Sequence, residues 1–187
     1  MSAHVLTRAT LDDLHAVEGK AELVGGRIVH FMATGVRPGL ISVGIYNAIK
    51  SYSEATRRGF ALPDNVGFAV PELVSGRESF SPDAAYYLGT LPRNDMDFAP
   101  GPPAFAVEVR SKGDYGPAAE EEMAAKRADY FEAGTEVVWD VDPQAEIVRV
   151  YRRLFPERPV TFGVGESADA EPVMPGWRLA ADIIFTR

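Results

Sequence analysis

The sequence of 187 residues contains no cysteine and only three histidines. The absence of cysteine excludes disulfide bonds and thiolate zinc sites. His4, His15 and His30 all lie near the N-terminus, which argues against a metal centre built from histidine. A metal ion in this protein would therefore bind oxygen ligands, which favours Mg²⁺, Mn²⁺ or Ca²⁺.

The chain also lacks an apolar run long enough to cross a bilayer, and its start shows no basic segment followed by an apolar one. These absences predict a cytoplasmic protein that does not enter a membrane. Positive charge is scarce, because 27 acidic and 19 basic side chains give a net charge of −8. This balance argues against passive nucleic-acid binding through a basic surface, although a local basic rim could still serve a nuclease.

Six arginines are candidates for such a rim, although most of them are better explained as solvated surface charges. They are Arg57, Arg58, Arg149, Arg152, Arg153 and Arg158.

The rest of the composition is that of an ordinary globular domain, and the length predicts one domain over residues 1–187. Apolar spacing predicts helices over residues 40–56 and 118–133, and a short helix from Thr7 or Thr10 to Val17. Residues 90–103 are predicted to form a loop. Apolar runs bounded by turns predict strands within residues 21–29, 67–71, 82–88, 104–109, 137–141 and 146–154. One long helix between strands indicates an α/β domain with a mixed sheet.

Two carboxylates stand on predicted apolar strands, at Asp83 and Glu108. Side chains alternate across a strand, so Asp83 shares its face with Ala85, and Glu108 shares its face with Ala106. Burying a carboxylate is costly unless it is paired, hydrogen-bonded or bound to a metal, and two neighbouring carboxylates repel each other. A shared divalent cation would resolve this conflict. The alternative is that each carboxylate caps a strand end or pairs with an arginine.

Lys126 lies on the predicted helix after the Glu108 strand, between Met123 and Tyr130 on the inward stripe. Its ammonium group is therefore expected to point partly toward the sheet. The alternative is an exposed pair with Glu122 at i,i+4, and spacing alone does not decide between the two. Two carboxylates on apolar strands and a lysine on the next helix form a minimal set for metal-assisted phosphodiester cleavage, and we favour that interpretation.

Several motifs follow one another in a fixed order along nearly the whole chain. They are AELVGGRIV at residues 21–29, PD at 82–83, PAFAVEVRS at 103–111, Lys126, Tyr130, Gly134, VWDVDP at 138–143, VRVY at 148–151, MPGWRL at 174–179 and IF at 184–185. Together they resemble the Uma2 family of restriction-endonuclease-like proteins.

The resemblance implies a PD-(D/E)xK nuclease fold, a restriction endonuclease-like core with a mixed central β-sheet flanked by helices. In that pattern Asp83 and Glu108 would bind Mg²⁺ or Mn²⁺. The common signature has a lysine where this sequence has Arg110, and the Uma2-like solution would supply Lys126 from the following helix instead. Glu22 matches an N-terminal acid that similar nucleases use as a further metal ligand or water anchor. The alternative for Glu22 is a solvated residue before a hairpin.

These assignments predict a Mg²⁺-dependent endonuclease that hydrolyses phosphodiester bonds of DNA, with Asp83, Glu108, Lys126 and Glu22 in its catalytic site. Asp83 and Glu108 would hold the ion, and Lys126 would orient or help deprotonate the attacking water. Nucleases that cut both strands commonly pair two active sites, so a homodimer is expected.

Two other functions stay open. A catalytically inactive nuclease-like scaffold that binds nucleic acid or a protein partner would suit the acidic charge, Arg110, and Gly39 near the place where many relatives have a histidine. A metal-dependent hydrolase of small phosphoesters would suit the lack of an obvious basic groove. Metal titration, and a comparison of plasmid, oligonucleotide and nucleotide substrates, would separate the three functions.

Overall fold

The computed structural model describes residues 8–186. Its helices are α1 (Leu11–His15), α2 (Val36–Thr56), α3 (Pro117–Ala133) and α4 (Ala181–Phe185). Thr10 caps α1, whose predicted alternative start, Thr7, lies outside the described residues. Within residues 8–186, no helix combines the length and the apolar character needed to cross a bilayer.

A central sheet of six strands forms the middle layer of the fold. Its strands are β3 (Phe60–Pro63), β6 (Ala84–Tyr87), β8 (Phe105–Val109), β9 (Val137–Asp142), β10 (Ile147–Arg152) and β11 (Phe155–Phe162). They lie in the order β11-β10-β9-β8-β6-β3, and only the β8–β9 pair is parallel. A parallel pair needs a crossover connection, which α3 provides. The predicted α/β fold with a mixed central sheet and flanking helices is confirmed.

Seven further strands form three small sheets beside the central one. They are β1 (Ala21–Val24) with β2 (Arg27–His30), β4 (Phe68–Ala69) with β5 (Ser79–Phe80) and β7 (Ala99–Pro100), and β12 (Ser167–Asp169) with β13 (Arg178–Ala180). The β1–β2 hairpin turns at Gly25 and Gly26, whose φ angles of 59° and 69° match the tight turn that antiparallel strands require. The hairpin predicted within residues 21–29 is therefore present.

Prolines lie in the first turns of both long helices, and a glycine lies at the end of α3. The α2 helix begins one turn earlier than predicted, because Pro38 falls in its first turn, where backbone N–H groups have no intrahelical partner. Pro117 occupies the first turn of α3 for the same reason. The α3 helix ends at Gly134, whose φ of 114° suits glycine.

The central sheet separates two apolar cores. On one side, Ile45 of α2 packs with Phe105 and its neighbours. On the other side, Tyr130 of α3 packs with Ala106 and Val138. The side chains of β8 therefore alternate as predicted, which directs Glu108 toward the α3 side of the sheet.

Two strands lie where the sequence pattern argues against a strand. The β7 strand lies inside the predicted loop of residues 90–103 and pairs in parallel with β4. The β11 strand contains Pro156 and Pro159, which usually argue against a strand. At the edge of a sheet one side of a strand has no ladder partner, so prolines are tolerated there.

Candidate active site

Asp83 and Glu108 face each other at one end of the β6–β8 pair. The register pairs Ala84 with Val107, so Asp83, the residue before β6, lies near Glu108 at the end of β8. The Asp83 N–H donates to the Val107 carbonyl at 3.0 Å, and Asp83 Oδ2 accepts from the Val109 N–H at 2.7 Å. The two side chains predicted as metal ligands are thus fixed beside each other.

The Glu108 carboxylate is held from α3. Its Oε1 accepts a hydrogen bond of 2.7 Å from the Tyr130 hydroxyl and lies 2.9 Å from Lys126 Nζ. Burial raises the pKa of Glu108 above its ordinary value, and the negative charge of Asp83 adds to the shift, so the attraction of Lys126 does not offset it. Ionised Glu108 is therefore under-stabilised, and a further cation beside it would be favourable.

The Lys126 ammonium group bridges two carboxylates. Its Nζ lies 2.9 Å from Glu22 Oε1 and 2.9 Å from Glu108 Oε1. Burial by itself would lower the pKa of Lys126, but the two carboxylates raise it above its ordinary value, so the side chain stays charged. Lys126 thus turns toward the sheet and not toward Glu122, which settles the choice that helical spacing left open.

Glu22 is fully buried on β1, so its interpretation as a solvated residue is wrong. Its Oε1 accepts a hydrogen bond of 2.9 Å from the Ser81 N–H, and its Oε2 pairs with Arg77. The Arg77 Nε in turn donates to Asp129 at 2.8 Å. Burial by itself would raise the pKa of Glu22, but Lys126 and Arg77 hold it below its ordinary value. Glu22 is therefore an ionised anchor for the Lys126 ammonium group.

Lys20 belongs to the site and was missed in the sequence. Its Nζ lies 2.6 Å from Asp83 Oδ1 and 2.7 Å from Asp64 Oδ1. Burial would lower its pKa, but Asp83 and Glu108 outweigh burial and raise it. One signal could have revealed it: Lys20 stands two residues before Glu22, so strand alternation directs both side chains to the same face.

Arg110 does not take the place of the signature lysine. It makes a bidentate pair with buried Asp140, with distances of 2.7 Å from Nε and 2.7 Å from Nη2. Its Nη2 also lies 3.0 Å from Glu120. Asp140 stands beside Glu108 in the β8–β9 register, so Arg110 neutralises the next acid along the same row of side chains. These contacts leave Arg110 engaged with protein carboxylates.

A cavity of about 1440 Å³ opens over these groups. Eight acidic and six basic side chains line it, so its charge balance is acidic despite the lysines. None of the six arginines considered for a basic rim lines it. The basic side chains that do so are Lys20, Arg77, Arg110, Lys112, Lys126 and Arg127. A polyanion entering this cavity would need additional positive charge.

The donor chemistry of Asp83 and Glu108 fits Mg²⁺, which is commonly bound by one or two protein carboxylates while it keeps several waters. Glu108 Oε1 takes both contacts from α3, and its Oε2 receives no hydrogen bond from residues 8–186. In the same part of the chain, no three acidic or histidine side chains already converge as a metal cluster. The Lys20 ammonium group contacts Asp64 and Asp83, and the Lys126 ammonium group contacts Glu22 and Glu108.

Comparisons with known proteins identify the family and the fold. The family model Uma2, described as "Putative restriction endonuclease", matches residues 10–182. A crystal structure from Anabaena variabilis, described as a "putative nuclease belonging to DUF820", superposes with a TM-score of 0.73 at 18% sequence identity. The match covers 94% of this chain and 97% of the other, and at this identity it shows the fold. Curated proteins gave no match.

Proposed function

The chain belongs to the Uma2 family, whose description is that of a restriction endonuclease, and on that premise we propose that it is an endonuclease acting on DNA with Mg²⁺ or Mn²⁺. The observation that carries this proposal is the position of Asp83 beside the end of β8, fixed by its hydrogen bonds with Val107 and Val109, with the Lys126 ammonium group 2.9 Å from Glu108. All three side chains line one open cavity.

Asp83 and Glu108 would hold the divalent ion. The chemistry that such an ion supplies when bound is polarisation of the scissile phosphate and a lower pKa of water. The raised pKa of Glu108 supports this assignment, because a cation beside it would relieve the cost of burying its charge and would offset the repulsion from Asp83.

Lys126 would orient the attacking water and offset the negative charge that develops on the phosphate. Its position suits this role, because Glu22 and Glu108 hold the ammonium group from two sides. Glu22 would act as a positioning residue. Both of its oxygens are already engaged, by Lys126 and the Ser81 N–H at Oε1 and by Arg77 at Oε2, which favours a role as anchor over a role as metal ligand.

Cleavage of supercoiled plasmid with purified protein tests the proposal. We expect Asp83→Ala and Glu108→Ala to abolish Mg²⁺-dependent nicking, and Lys126→Met to lower its rate by about 100-fold or more. Asp95→Ala removes an exposed carboxylate that does not line the cavity, and it serves as the matched control. If purified Asp83→Ala nicks plasmid as fast as the wild type, the assignment of the site is wrong.

We also propose that residues 1–187 form one nuclease domain and that two copies of the chain form a homodimer, because cutting both strands of a duplex calls for two sites. Sedimentation equilibrium measures the mass in solution. A mass equal to a single chain at the concentration that supports double-strand cleavage would remove the homodimer from the proposal.

A nuclease-like scaffold without catalysis is the second candidate. It is favoured by the way Lys20 and Lys126 pair with Asp83 and Glu108, and by the acidic balance of the cavity. Titration with Mn²⁺ separates the two candidates. The scaffold is the better description if no Mn²⁺ binds in a manner that depends on Asp83.

A further inference from the structure

Lys20 occupies the position from which a cation would approach Asp83. Its Nζ lies 2.6 Å from Asp83 Oδ1 and 2.7 Å from Asp64 Oδ1, and only 19% of its side chain is exposed. We propose that Lys20 is a built-in counter-ion that competes with the divalent metal for Asp83, and that it thereby sets the metal affinity of the site. This inference rests on the proposed metal-binding role of Asp83 and Glu108.

Competition follows from the occupancy of both Asp83 oxygens. Oδ2 accepts the Val109 N–H at 2.7 Å, which fixes the carboxylate to the end of β8. Oδ1 is the oxygen that remains for a metal, and it carries the Lys20 ammonium group. An ammonium group and a divalent ion repel each other at such distances, so both cannot bind the same oxygen without a large electrostatic cost. Metal binding at Asp83 therefore requires Lys20 to withdraw.

Asp64 gives Lys20 a place to withdraw to. The Asp64 side chain is 44% exposed, whereas that of Asp83 is 19% exposed. The Lys20 ammonium group can therefore move away from Asp83 toward solvent while it keeps its ion pair with Asp64. The ammonium group would then stay at the cavity wall, where it adds a positive charge that no longer neutralises Asp83. Lys20 is thus a positioning and affinity-setting residue, distinct from the metal ligands.

Lys126 does not compete in the same way. Its contact with Glu108 goes to Oε1, which also accepts the Tyr130 hydroxyl, so Oε2 stays available to a metal. Glu22, which is fully buried, holds the same ammonium group from the opposite side. Metal binding would therefore require Lys20 to leave Asp83, whereas Lys126 could keep its contact with Glu108.

Mn²⁺ binding to Lys20→Met, followed by electron paramagnetic resonance and calorimetry, tests this inference without any measurement of cleavage. Removing one charge-assisted contact from Asp83 should tighten Mn²⁺ binding by roughly tenfold or more. Lys20→Arg keeps the charge and should restore an affinity close to that of the wild type. Thermal unfolding of each variant checks that it is folded.

Lys112→Met is the matched control, because Lys112 lines the same cavity and forms no ion pair with a carboxylate of residues 8–186. It makes the same charge change and should alter the Mn²⁺ affinity by less than about threefold, as expected for an exposed charge. Equal tightening by Lys112→Met and Lys20→Met would overturn the inference, since the cause would then be general electrostatics.

The failure of this inference can be told apart from the failure of the proposed function. If Mn²⁺ binds the wild type in a manner that Asp83→Asn abolishes, but Lys20→Met binds it no more tightly, only the role of Lys20 is wrong. If neither the wild type nor Lys20→Met binds Mn²⁺ in an Asp83-dependent manner, both the inference and the proposed metal site are wrong.

Discussion

Glu22→Gln and Glu108→Gln remove the same charge from two partners of Lys126, yet we expect them to have opposite effects on the stability of the metal-free protein. Both carboxylates lie 2.9 Å from Lys126 Nζ. The pKa of Glu22 is held below its ordinary value, whereas burial raises the pKa of Glu108 above it. The fold therefore favours the ionised form of Glu22 and disfavours the ionised form of Glu108.

The magnitude for Glu22→Gln follows from its contacts. Glutamine can still accept the Ser81 N–H, but it lacks the charge that pairs with Arg77 and Lys126. Losing one member of a buried ion pair costs about 3–5 kcal/mol. For a chain of this length, that loss lowers Tm by roughly 6–20 °C. Glu108→Gln keeps an acceptor for the Tyr130 hydroxyl and removes a disfavoured charge, so its Tm should rise.

Ionisation of Glu22 and ionisation of Glu108 should also have opposite effects on how stability depends on pH. The stability that ionised Glu22 contributes is present above its ordinary pKa and is lost as pH falls through the lowered pKa. Ionisation of Glu108 costs stability as pH rises from its ordinary pKa through the raised one. The deficit of Glu22→Gln should therefore shrink in acid, and the gain of Glu108→Gln should be largest above the raised pKa of Glu108.

Thermal unfolding followed by circular dichroism in the presence of EDTA, at neutral and at acidic pH, measures both effects. Glu157→Gln on the exposed edge strand β11 is the matched control and should change the free energy of unfolding by no more than about 0.5 kcal/mol. A similar fall in Tm for Glu22→Gln and Glu108→Gln would refute this reasoning, as would a neutral Glu22→Gln.

Tyr130→Phe should lower the free energy of unfolding by about 1.5–3 kcal/mol, because ionised Glu108 loses the hydroxyl that donates to it; an unchanged urea midpoint would contradict the role given to that hydrogen bond. Arg110→Met should cost about 3–5 kcal/mol, since buried Asp140 loses its bidentate partner. Arg110→Lys should not restore that stability, because lysine lacks the planar fork, and full recovery in calorimetry would argue against the bidentate geometry. EDTA should stop plasmid nicking and added Mg²⁺ or Mn²⁺ should restore it; nicking that persists in EDTA would exclude the proposed metal dependence.

Strand alternation was enough to predict how Glu108 is directed, whereas helical spacing left the direction of Lys126 open. Alternation along β8 directs Glu108 away from Phe105 and toward α3, as the two cores confirm. Helical spacing placed Lys126 next to the inward stripe of Tyr130 but also allowed an exposed pair with Glu122, and only the structure shows its contact with Glu108. These features are local, because backbone geometry ties each side-chain direction to its neighbours along the chain.

The partners of the charged groups could not be predicted in this way. Lys20 and Asp83 are separated by 63 positions, and Glu22 and Arg77 by 55. Strand alternation can direct Lys20 to the face of Glu22, but it does not identify Asp83 as the partner of Lys20. Only the packing of the β1–β2 hairpin against the strands that follow brings these groups within hydrogen-bond distance.

The sequence by itself determined the kind of chemistry available to this protein: oxygen donors without cysteine, carboxylates on apolar strands, and a lysine on the following helix. The tertiary structure alone decided which cation neutralises which carboxylate, placing Lys20 on Asp83, and Lys126 between Glu22 and Glu108. The physical reason is that electrostatic energies depend on distance and burial, and both are set by contacts between segments far apart in the chain.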